Sequence, residues 1–241
     1  MTNALSTHLG VTVWRDKQVA SIAFSGGEVV APLSIQSAGR GDKKNGTRVN
    51  IVPDPKYFDS PNIPQSELER LLRAKAVLMS GVTVTLTQEK TGQTQTWLYK
   101  DGLQGYLREY LEQDALIPFF GGAWFAPKND EQFAEGEGAQ WVLAWTREGG
   151  LLRESYVNLI GTTAGGTHEA GIREGVFGAV KSFIELHALL PKGVKLISED
   201  VFSRASFVLS AKVLDPQFQG QTKERLNNRD AVKLVAQATR P

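Results

Sequence analysis

The sequence contains no cysteine, only three histidines and no long apolar run. Without cysteine the chain cannot form a disulfide, present a thiolate nucleophile or hold a cysteine-ligated zinc ion. Three histidines, at positions 8, 168 and 187, are too few to favour a histidine-rich metal site. A membrane helix needs about 20 consecutive apolar residues, and no segment approaches that length. These absences favour a globular protein with no membrane partner and disfavour a zinc site. The cytoplasm is the default location, although a chain without cysteine also suits a secreted protein.

The chain also lacks an excess of charge of either sign. Its 27 lysines and arginines nearly balance its 26 aspartates and glutamates, for a net charge of +1. Nucleic-acid-binding proteins usually carry a basic excess, so contact with a nucleic acid would have to come from a local basic surface. The 241 residues are enough for one large domain or two modest ones.

Hydrophobic periodicity predicts a mixture of strands and helices, the α+β class. The pattern favours strands at 11–15, 18–24, 28–36, 46–54, 82–87, 94–99, 117–125, 140–147, 151–159 and 206–214. It favours helices at 66–79, 102–112 and 168–189. On the first helix, Arg70, Arg73 and Lys75 form a basic stripe that we expect to face water, because lysine and arginine usually keep their charged ends solvated.

The most informative stretch follows the strand predicted at 206–214. Asp215 and Pro216 end that strand, because proline fixes its own φ and disfavours helix in the residue before it. A polar loop follows, with Lys223 near its tip and Gln221 beside it. An ammonium, an amide and backbone N–H groups can together bind an anion. A loop whose lysine simply faces water is the alternative on chemistry alone.

A second stretch, TTAGGTHE at 162–169, precedes the longest predicted helix. Thr167 can cap that helix, and Glu169 complements the helix dipole. The glycine pair at 165–166 could form an anion-binding nest, but the carboxylate of Glu169 disfavours an anion there, so a turn is the preferred interpretation. We expect His168 to be a hydrogen-bonding residue at the helix start rather than a catalyst.

These stretches resemble one protein family. The letters DPQF at 215–218 and GQTKERL at 220–226 closely resemble the lysine loop of the B subunits of bacterial type IIA topoisomerases, with topoisomerase IV matching slightly better than DNA gyrase. The letters NALS at 3–6, GTRVNIVPD at 46–54, and NLIGTTAGGTH at 158–168 resemble other segments of that family. Gly161 stands where the family usually has proline. The resemblance extends over nearly the whole chain.

The resemblance implies a domain organisation. Residues 1–101 would be the C-terminal part of a GHKL-type ATPase domain, and residues 102–241 a transducer domain with the ribosomal S5 domain 2-like fold. By the same resemblance the chain would begin inside the ATPase domain, and its last helix would continue towards the DNA-cleavage core.

The resemblance also implies a function: part of the ATPase subunit of a DNA topoisomerase, coupling ATP binding and hydrolysis to DNA strand passage. Lys223 would be the catalytic residue at the γ-phosphate of ATP, with Gln221 binding beside it. Thr47 would help to hold the adenine, usually through water, and Arg15 would lie at the rim of that pocket. The family's glutamate base, Mg²⁺ ligand and ATP lid lie upstream of these residues, so the isolated chain is expected to be inactive. The implied partners are DNA, the topoisomerase A subunit and a second copy in an ATP-dependent homodimer.

Other classes stay open at this point. A mismatch-repair or chaperone ATPase of the GHKL group shares the two-domain plan, but its lysine loop is not expected to read QTKERL. A small-molecule kinase can use the S5-like fold, but it would need a glycine-rich phosphate loop at a helix start, for which the chain offers only the glycines at 165–166. A non-enzymatic DNA-binding module is a further alternative. Nucleotide binding would separate these classes.

Overall fold

The structure is a computed structural model that describes residues 1–60, 62–112, 115–148 and 151–240. The described residues fall into two compact units, Met1–Leu68 and a second unit that begins at Glu69. Each unit contains a main β-sheet of its own.

The first unit is built on a four-stranded antiparallel sheet. A short 3₁₀ helix (Thr2–Leu5) leads into β1 (Ser6–Arg15), which is followed by β2 (Gln18–Ser25), β3 (Glu28–Ser37) and β4 (Gly46–Pro53). The strand order is β3-β2-β1-β4. Asp16 and Lys17 form the β1–β2 turn with φ values of 51° and 60°. Two central residues with positive φ are typical of the hairpin turn whose twist matches its strands, so the predicted hairpin is confirmed.

The second unit contains a larger mixed sheet. Its elements are α1 (Gln65–Leu78), whose first turn contains the division between the units, β5 (Val84–Thr87), β6 (Thr94–Trp97), α2 (Gly102–Leu111), β7 (Ala115–Phe125), β8 (Gly138–Thr146), β9 (Arg153–Val157), β10 (Ile160–Gly161), α3 (Thr167–Leu186), α4 (Ser198–Phe202), β11 (Ala205–Lys212), β12 (Phe218–Gln219), β13 (Arg225–Leu226) and α5 (Asp230–Ala238). Five strands form the sheet in the order β10-β9-β11-β8-β7. Because β11 runs parallel to β9, the chain needs a crossover between them, which α3 and α4 provide.

Helices cover both faces of this sheet, and the alternation of side chains along each strand decides which helix a residue meets. On β11, Phe207 and Leu209 belong to the core formed with α3 and α5, whereas Val208 belongs to the core formed with α2. All three side chains are fully buried. Each such burial contributes about 1.5–3 kcal/mol, so the two cores are the main stabilising feature of this unit.

The helices α3 and α5 approach each other closely because α3 has glycines at the contact. A Cβ atom at Gly175 would lie 1.8 Å from Thr239 Oγ1 and 2.8 Å from Ala236 O. Gly178, three residues along α3, has no atom within 4 Å of its Cβ position. Since α5 begins a few residues after β13, this packing also fixes the chain that leaves the polar loop.

Candidate functional site

The predicted polar loop is the tip of a small hairpin. The strands β12 and β13 pair antiparallel, and residues 220–224 form the turn between them. Gly220 and Lys223 both have positive φ, 78° and 58°. This backbone conformation is easy for glycine and uncommon for lysine. Lys223 therefore lies in a tight turn with left-handed backbone and not in an extended loop.

Asn228 closes the base of the hairpin. Its Oδ1 accepts a hydrogen bond from Gln217 N at 2.6 Å, and its Nδ2 donates to Asp215 O at 2.9 Å. The backbone N–H of Asn227 donates to Gln217 O at 2.8 Å. These bonds hold the chain on both sides of the hairpin and leave residues 220–224 as its exposed part.

The second glycine-rich stretch lies against β13. We call residues 164–166 the support segment. Ala164 N donates to Glu224 O at 2.9 Å, and Leu226 N donates to Gly165 O at 3.1 Å. The two stretches of sequence that carry the family resemblance are therefore joined by backbone hydrogen bonds, although about 60 positions separate them in the chain.

Both glycines of the support segment have backbone that other residues rarely adopt. Gly166 has a φ of 142° and forms a parallel bridge with Leu226, whose carbonyl oxygen lies 2.4 Å from the position of a Cβ. Gly165 has a φ of 65°, and a Cβ there would lie 2.8 Å from Glu169 Oε2. Its N–H already donates to Thr162 O at 2.8 Å. An engaged amide beside a carboxylate supports the turn interpretation over an anion nest.

A series of hydrogen-bonded side chains joins the residues that flank the support segment. His168 Nε2 lies 2.9 Å from Thr162 Oγ1, and Thr162 Oγ1 lies 2.7 Å from Ser155 Oγ. Ser155 Oγ donates to Glu169 Oε1 at 2.6 Å. His168, Thr162 and Ser155 are 0%, 3% and 4% exposed. His168 is thus a hydrogen-bonding residue at the start of α3, as predicted.

The predicted cap of α3 is wrong. Gly166 is the N-cap residue, no side chain caps the helix, and Thr167 is the first helical residue. The Thr167 hydroxyl instead makes a long hydrogen bond of 3.5 Å to Leu226 O. The close approach of β13 to Gly166 explains the difference, because it brings a tertiary acceptor to the threonine hydroxyl.

Burial lowers the pKa of His168 to about 4, because the charged imidazolium would lose its hydration. Nδ1 of this ring has no hydrogen-bond partner among the described residues. The ring is therefore neutral at pH 7, and its protonation opposes folding.

We expect the chain to lose stability as the pH falls from 6.5 towards 4. The pKa of His168 is lower in the folded chain than in the unfolded chain, so the unfolded chain binds the proton first and stability present above pH 6.5 is lost below it. The shift corresponds to about 3 kcal/mol. The free energy of unfolding, measured by urea denaturation between pH 7.5 and 4.5, should fall less for His168→Gln than for the parent. An unchanged dependence in His168→Gln would contradict this expectation.

Lys223 and Gln221 lie together on the exposed turn. Lys223 Nζ is 6.0 Å from the centre of the Phe218 ring, and within the described part of the chain no carboxylate pairs with it. An unpaired ammonium beside a side-chain amide can donate hydrogen bonds to an anion, as the sequence predicts.

Arg15 and Thr47 lie in the first unit, on β1 and β4. Thr47 pairs directly with Val13, and Arg15 is two residues further along β1, so both side chains project from the same face of the sheet. Both are exposed, and Arg15 Nε lies 3.4 Å from Asp16 Oδ2. The structure thus brings these two residues together on one face, while the two loop residues lie in the other unit. The role of each of the four stays a prediction.

Nothing in the sequence pattern predicts the polar contacts of α1. The expectation of a solvated stripe is wrong for two of its three residues. Arg73 Nε donates to Tyr99 OH at 2.8 Å, and Arg73 Nη2 lies 3.1 Å from Glu109 Oε1. Lys75 Nζ donates to Leu159 O at 2.5 Å. The partners lie 26 to 84 positions away, so no local spacing could reveal them.

Two tyrosines share one carboxylate on β9. Tyr106 OH and Tyr156 OH donate to Glu154 at 3.1 and 2.8 Å. Burial, and next the charge of Glu154, raise the pKa of both tyrosine hydroxyls. Both hydroxyls therefore stay protonated at neutral pH, and the Tyr106 bond ties α2 to the sheet.

Neither a metal site nor a membrane helix is found in the described ranges. Over residues 1–60, 62–112, 115–148 and 151–240, histidines and carboxylates do not gather in threes or more at a spacing that could hold a metal ion. In the same parts of the chain, every helix is too short or too polar to cross a bilayer. No described residue is therefore assigned as a ligand of Mg²⁺.

Comparison with known proteins decides the family. The family model described as DNA gyrase B matches residues 102–241, more than half of the chain. The chain belongs to the DNA gyrase B family. Within this family it is 44% identical over 237 residues to the B subunit of DNA topoisomerase 4 from Salmonella typhimurium, an alignment that covers 98% of this chain. The chain spans 36% of the length of that relative.

Two solved structures of the same family resemble this one over 98% of the chain. The topoisomerase IV ATP-binding domain of Francisella tularensis, in complex with a small-molecule inhibitor, is 35% identical with a TM-score of 0.77. The 43K ATPase domain of Thermus thermophilus gyrase B, in complex with an aminocoumarin, is 27% identical with a TM-score of 0.80. This chain covers 62% of each of those chains. The predicted family and the α+β fold class are confirmed.

Proposed function

We propose that this chain is part of the ATP-hydrolysing B subunit of a topoisomerase IV and couples ATP binding and hydrolysis to DNA strand passage. The exposure of Lys223 on a turn held by the support segment is the observation that carries this proposal. Residues 1–101 would belong to the ATPase domain and residues 102–241 to the transducer, so the proposed boundary falls inside the second compact unit rather than at its start at Glu69. The stretch matched by the family model also begins at residue 102.

Lys223 would act as a sensor of the nucleotide and as a catalytic residue. Its ammonium donates a charge-assisted hydrogen bond to the γ-phosphate of ATP, and Gln221 adds a weaker, neutral one. ADP has no γ-phosphate, so Lys223 loses this bond after hydrolysis. A contact made with one nucleotide and not with the other is what a conformational switch requires. The same ammonium stabilises the charge of the transferred phosphoryl group in the transition state.

The position of the hairpin would let a movement of Lys223 displace other parts of the second unit. Leu226, at the end of β13, is fully buried, and α5 follows within four residues. α5 packs on α3 through contacts as close as a glycine allows. A displacement of the turn would therefore move α5 against α3.

Thr47 and Arg15 would bind the other end of the nucleotide. Thr47 would contact the adenine, and Arg15 would lie at the rim of the adenine pocket. Magnesium, which ATP hydrolysis in this family is expected to need, has no set of ligands among the described residues. No step is therefore assigned to a metal held by this chain. The proposed partners are duplex DNA, the topoisomerase A subunit and, for an ATP-dependent homodimer, a second copy. The proposed location is the cytoplasm.

A hybrid protein tests this function. In this hybrid, the chain replaces the equivalent segment of the 44% identical topoisomerase relative. With the A subunit and ATP, we expect the hybrid to relax supercoiled DNA, and we expect no relaxation when ADP replaces ATP. A hybrid that has the circular dichroism of a folded protein but no ATP-dependent relaxation would contradict the proposal.

We expect the 241-residue chain alone to bind duplex DNA weakly and without sequence preference. Its net charge of +1 allows only a local basic patch, for which we assume about two or three phosphate contacts. Raising the salt from 50 to 200 mM should then weaken binding by about ten- to fortyfold. Fluorescence anisotropy with two duplexes of unrelated sequence measures this. Tight binding that persists at the higher salt, or a strong preference between the duplexes, would count against it.

A further inference from the structure

We propose that Thr162 and His168 are positioning residues for Lys223. Their buried hydrogen-bond chain would fix the support segment and, through it, the backbone of the turn that carries the lysine. The functional part of this inference rests on the proposed role of Lys223. Its structural part concerns the folded chain alone and can be tested without ATP.

The donor and acceptor of each hydrogen bond in this series of side chains can be assigned by counting hydrogens. Ser155 Oγ donates its single hydrogen to Glu169 Oε1, which as a carboxylate oxygen only accepts. Thr162 Oγ1 donates its single hydrogen to Ser155, whose Oγ is 2.7 Å away and whose carbonyl oxygen is 2.9 Å away. The remaining partner of Thr162 Oγ1 is His168 Nε2, which must therefore carry a hydrogen and donate it. The ring is neutral with its proton on Nε2, in agreement with its complete burial.

With this assignment every hydrogen bond in the series is donated in the same direction, from His168 through Thr162 and Ser155 to Glu169. The carboxylate cannot donate, so Ser155 gives its hydrogen to Glu169, and the hydrogen between Ser155 and Thr162 must then come from Thr162. Thr162 lies two residues before the support segment and His168 two residues after it. Thr162 O also accepts from Gly165 N at 2.8 Å. The support segment is thus held by the residues that flank it and by the bond of Gly165 in its middle.

The support segment reaches the residue next to Lys223. Ala164 N donates to Glu224 O at 2.9 Å, so the residue after the lysine is bonded to the segment. Leu226 N donates to Gly165 O at 3.1 Å. A displacement of the segment would move the turn by a similar distance. Errors of about 1 Å in the position of a group at a reacting phosphate can reduce turnover about a hundredfold.

The chosen substitutions separate the hydrogen bond from the packing. Thr162→Val keeps the volume but removes the hydroxyl, which leaves the buried Nε2–H of His168 without an acceptor. Thr162→Ser keeps the hydroxyl and loses a methyl group. Ser155→Ala removes the hydrogen bonds of the Ser155 hydroxyl but leaves the bond between Thr162 and His168 in place. It is the milder variant if Thr162→Val does not fold.

Amide hydrogen exchange of the 241-residue chain tests the structural part. In Thr162→Val we expect the amides of Leu226 and Ala164 to exchange at least about tenfold faster relative to that of Phe207, which donates to Leu152 O in the core. Thr162→Ser should stay near the parent, Ser155→Ala should lie between them, and Lys223→Ala should change nothing. Parent-like exchange of Leu226 in both Thr162→Val and Ser155→Ala would overturn the inference, as would exchange in Thr162→Ser as fast as in Thr162→Val.

A double-mutant cycle in the hybrid protein tests the functional part. Thr162→Val should lower kcat for ATP at least about tenfold with a smaller change in KM, and Thr162→Ser should restore it. In a Lys223→Ala background the same substitution should have little further effect on kcat, because its action passes through the lysine. An equal loss in both backgrounds would overturn the inference. A Lys223→Ala hybrid with the parent kcat would instead contradict the proposed role of Lys223. The structural part of the inference would then still be decided by the hydrogen-exchange results.

Discussion

Lys223→Ala should lower the ATPase rate of the hybrid protein at least about tenfold without changing the melting temperature of the chain. A hydrogen bond to a charged group contributes about 1.5–3 kcal/mol, and tenfold in rate corresponds to about 1.4 kcal/mol. If Lys223 makes its bond mainly in the transition state, turnover falls more than nucleotide affinity does. Lys223 is exposed, and its contact with the Phe218 ring spans 6.0 Å, so the fold should lose less than about 0.5 kcal/mol.

Three further variants make this experiment specific. Lys223→Arg should not restore the full rate, because a planar guanidinium does not replace a compact ammonium at a phosphate. Gln221→Ala should cause a milder loss, because a neutral amide bonds more weakly. Lys212→Ala is the matched control: Lys212 is also exposed and also lies over an aromatic ring, 4.9 Å from the centre of Phe125. Steady-state ATPase rates and thermal melting of the same preparations supply the comparison. A Lys223→Ala hybrid that matches Lys212→Ala in rate would remove the lysine from the mechanism.

Gly166→Ala should destabilise the second unit by about 3 kcal/mol and separate the hairpin from the support segment. At a φ of 142° a side chain is strained, which costs about 1–3 kcal/mol. The added Cβ would also lie 2.4 Å from Leu226 O and 2.6 Å from Leu226 N. These are backbone atoms and cannot rotate away, so overpacking adds about 1–3 kcal/mol.

Thermal melting checks the prediction for Gly166→Ala, with an expected fall of about 10 °C in Tm for a unit of this size. The control is Gly178→Ala on α3, where no atom lies within 4 Å of the new Cβ. Alanine favours a helix more than glycine does, so this control should gain about 0.4–1 kcal/mol. Equal melting temperatures for the two variants would show that the close approach of Gly166 to Leu226 does not matter to stability.

The regular part of the fold follows from local patterns in the sequence. The long helix predicted at 168–189 is α3, Thr167–Leu186, and the strand predicted at 206–214 is β11, Ala205–Lys212. Both are long enough for several repeats of their periods, 3.6 and 2 residues. In contrast, β12 and β13 have two residues each and show no period, so their hairpin could be predicted only as a polar loop.

The contacts of the candidate site could not be predicted, because they join distant parts of the chain. Leu226 bonds to Gly165 across about 60 positions, and Lys75 bonds to Leu159 across 84. Thr167 has the sequence position of a helix cap, yet the nearby carbonyl of Leu226 gives its hydroxyl another partner. From chemistry alone Lys223 is one exposed lysine in a polar loop. Its proposed role comes from the family resemblance, and the structure adds the turn and the support segment that hold it.

The claim that Lys223 reaches the γ-phosphate can be tested most directly by covalent labelling. An ATP analogue with an acyl group on its γ-phosphate transfers that group to a lysine within reach, and mass spectrometry of the hybrid protein identifies the modified residue. We predict acylation of Lys223 that excess ATP prevents, with no ATP-sensitive acylation of Lys212. ATP-sensitive acylation of a different lysine, with Lys223 unmodified, would contradict the proposed role of the loop.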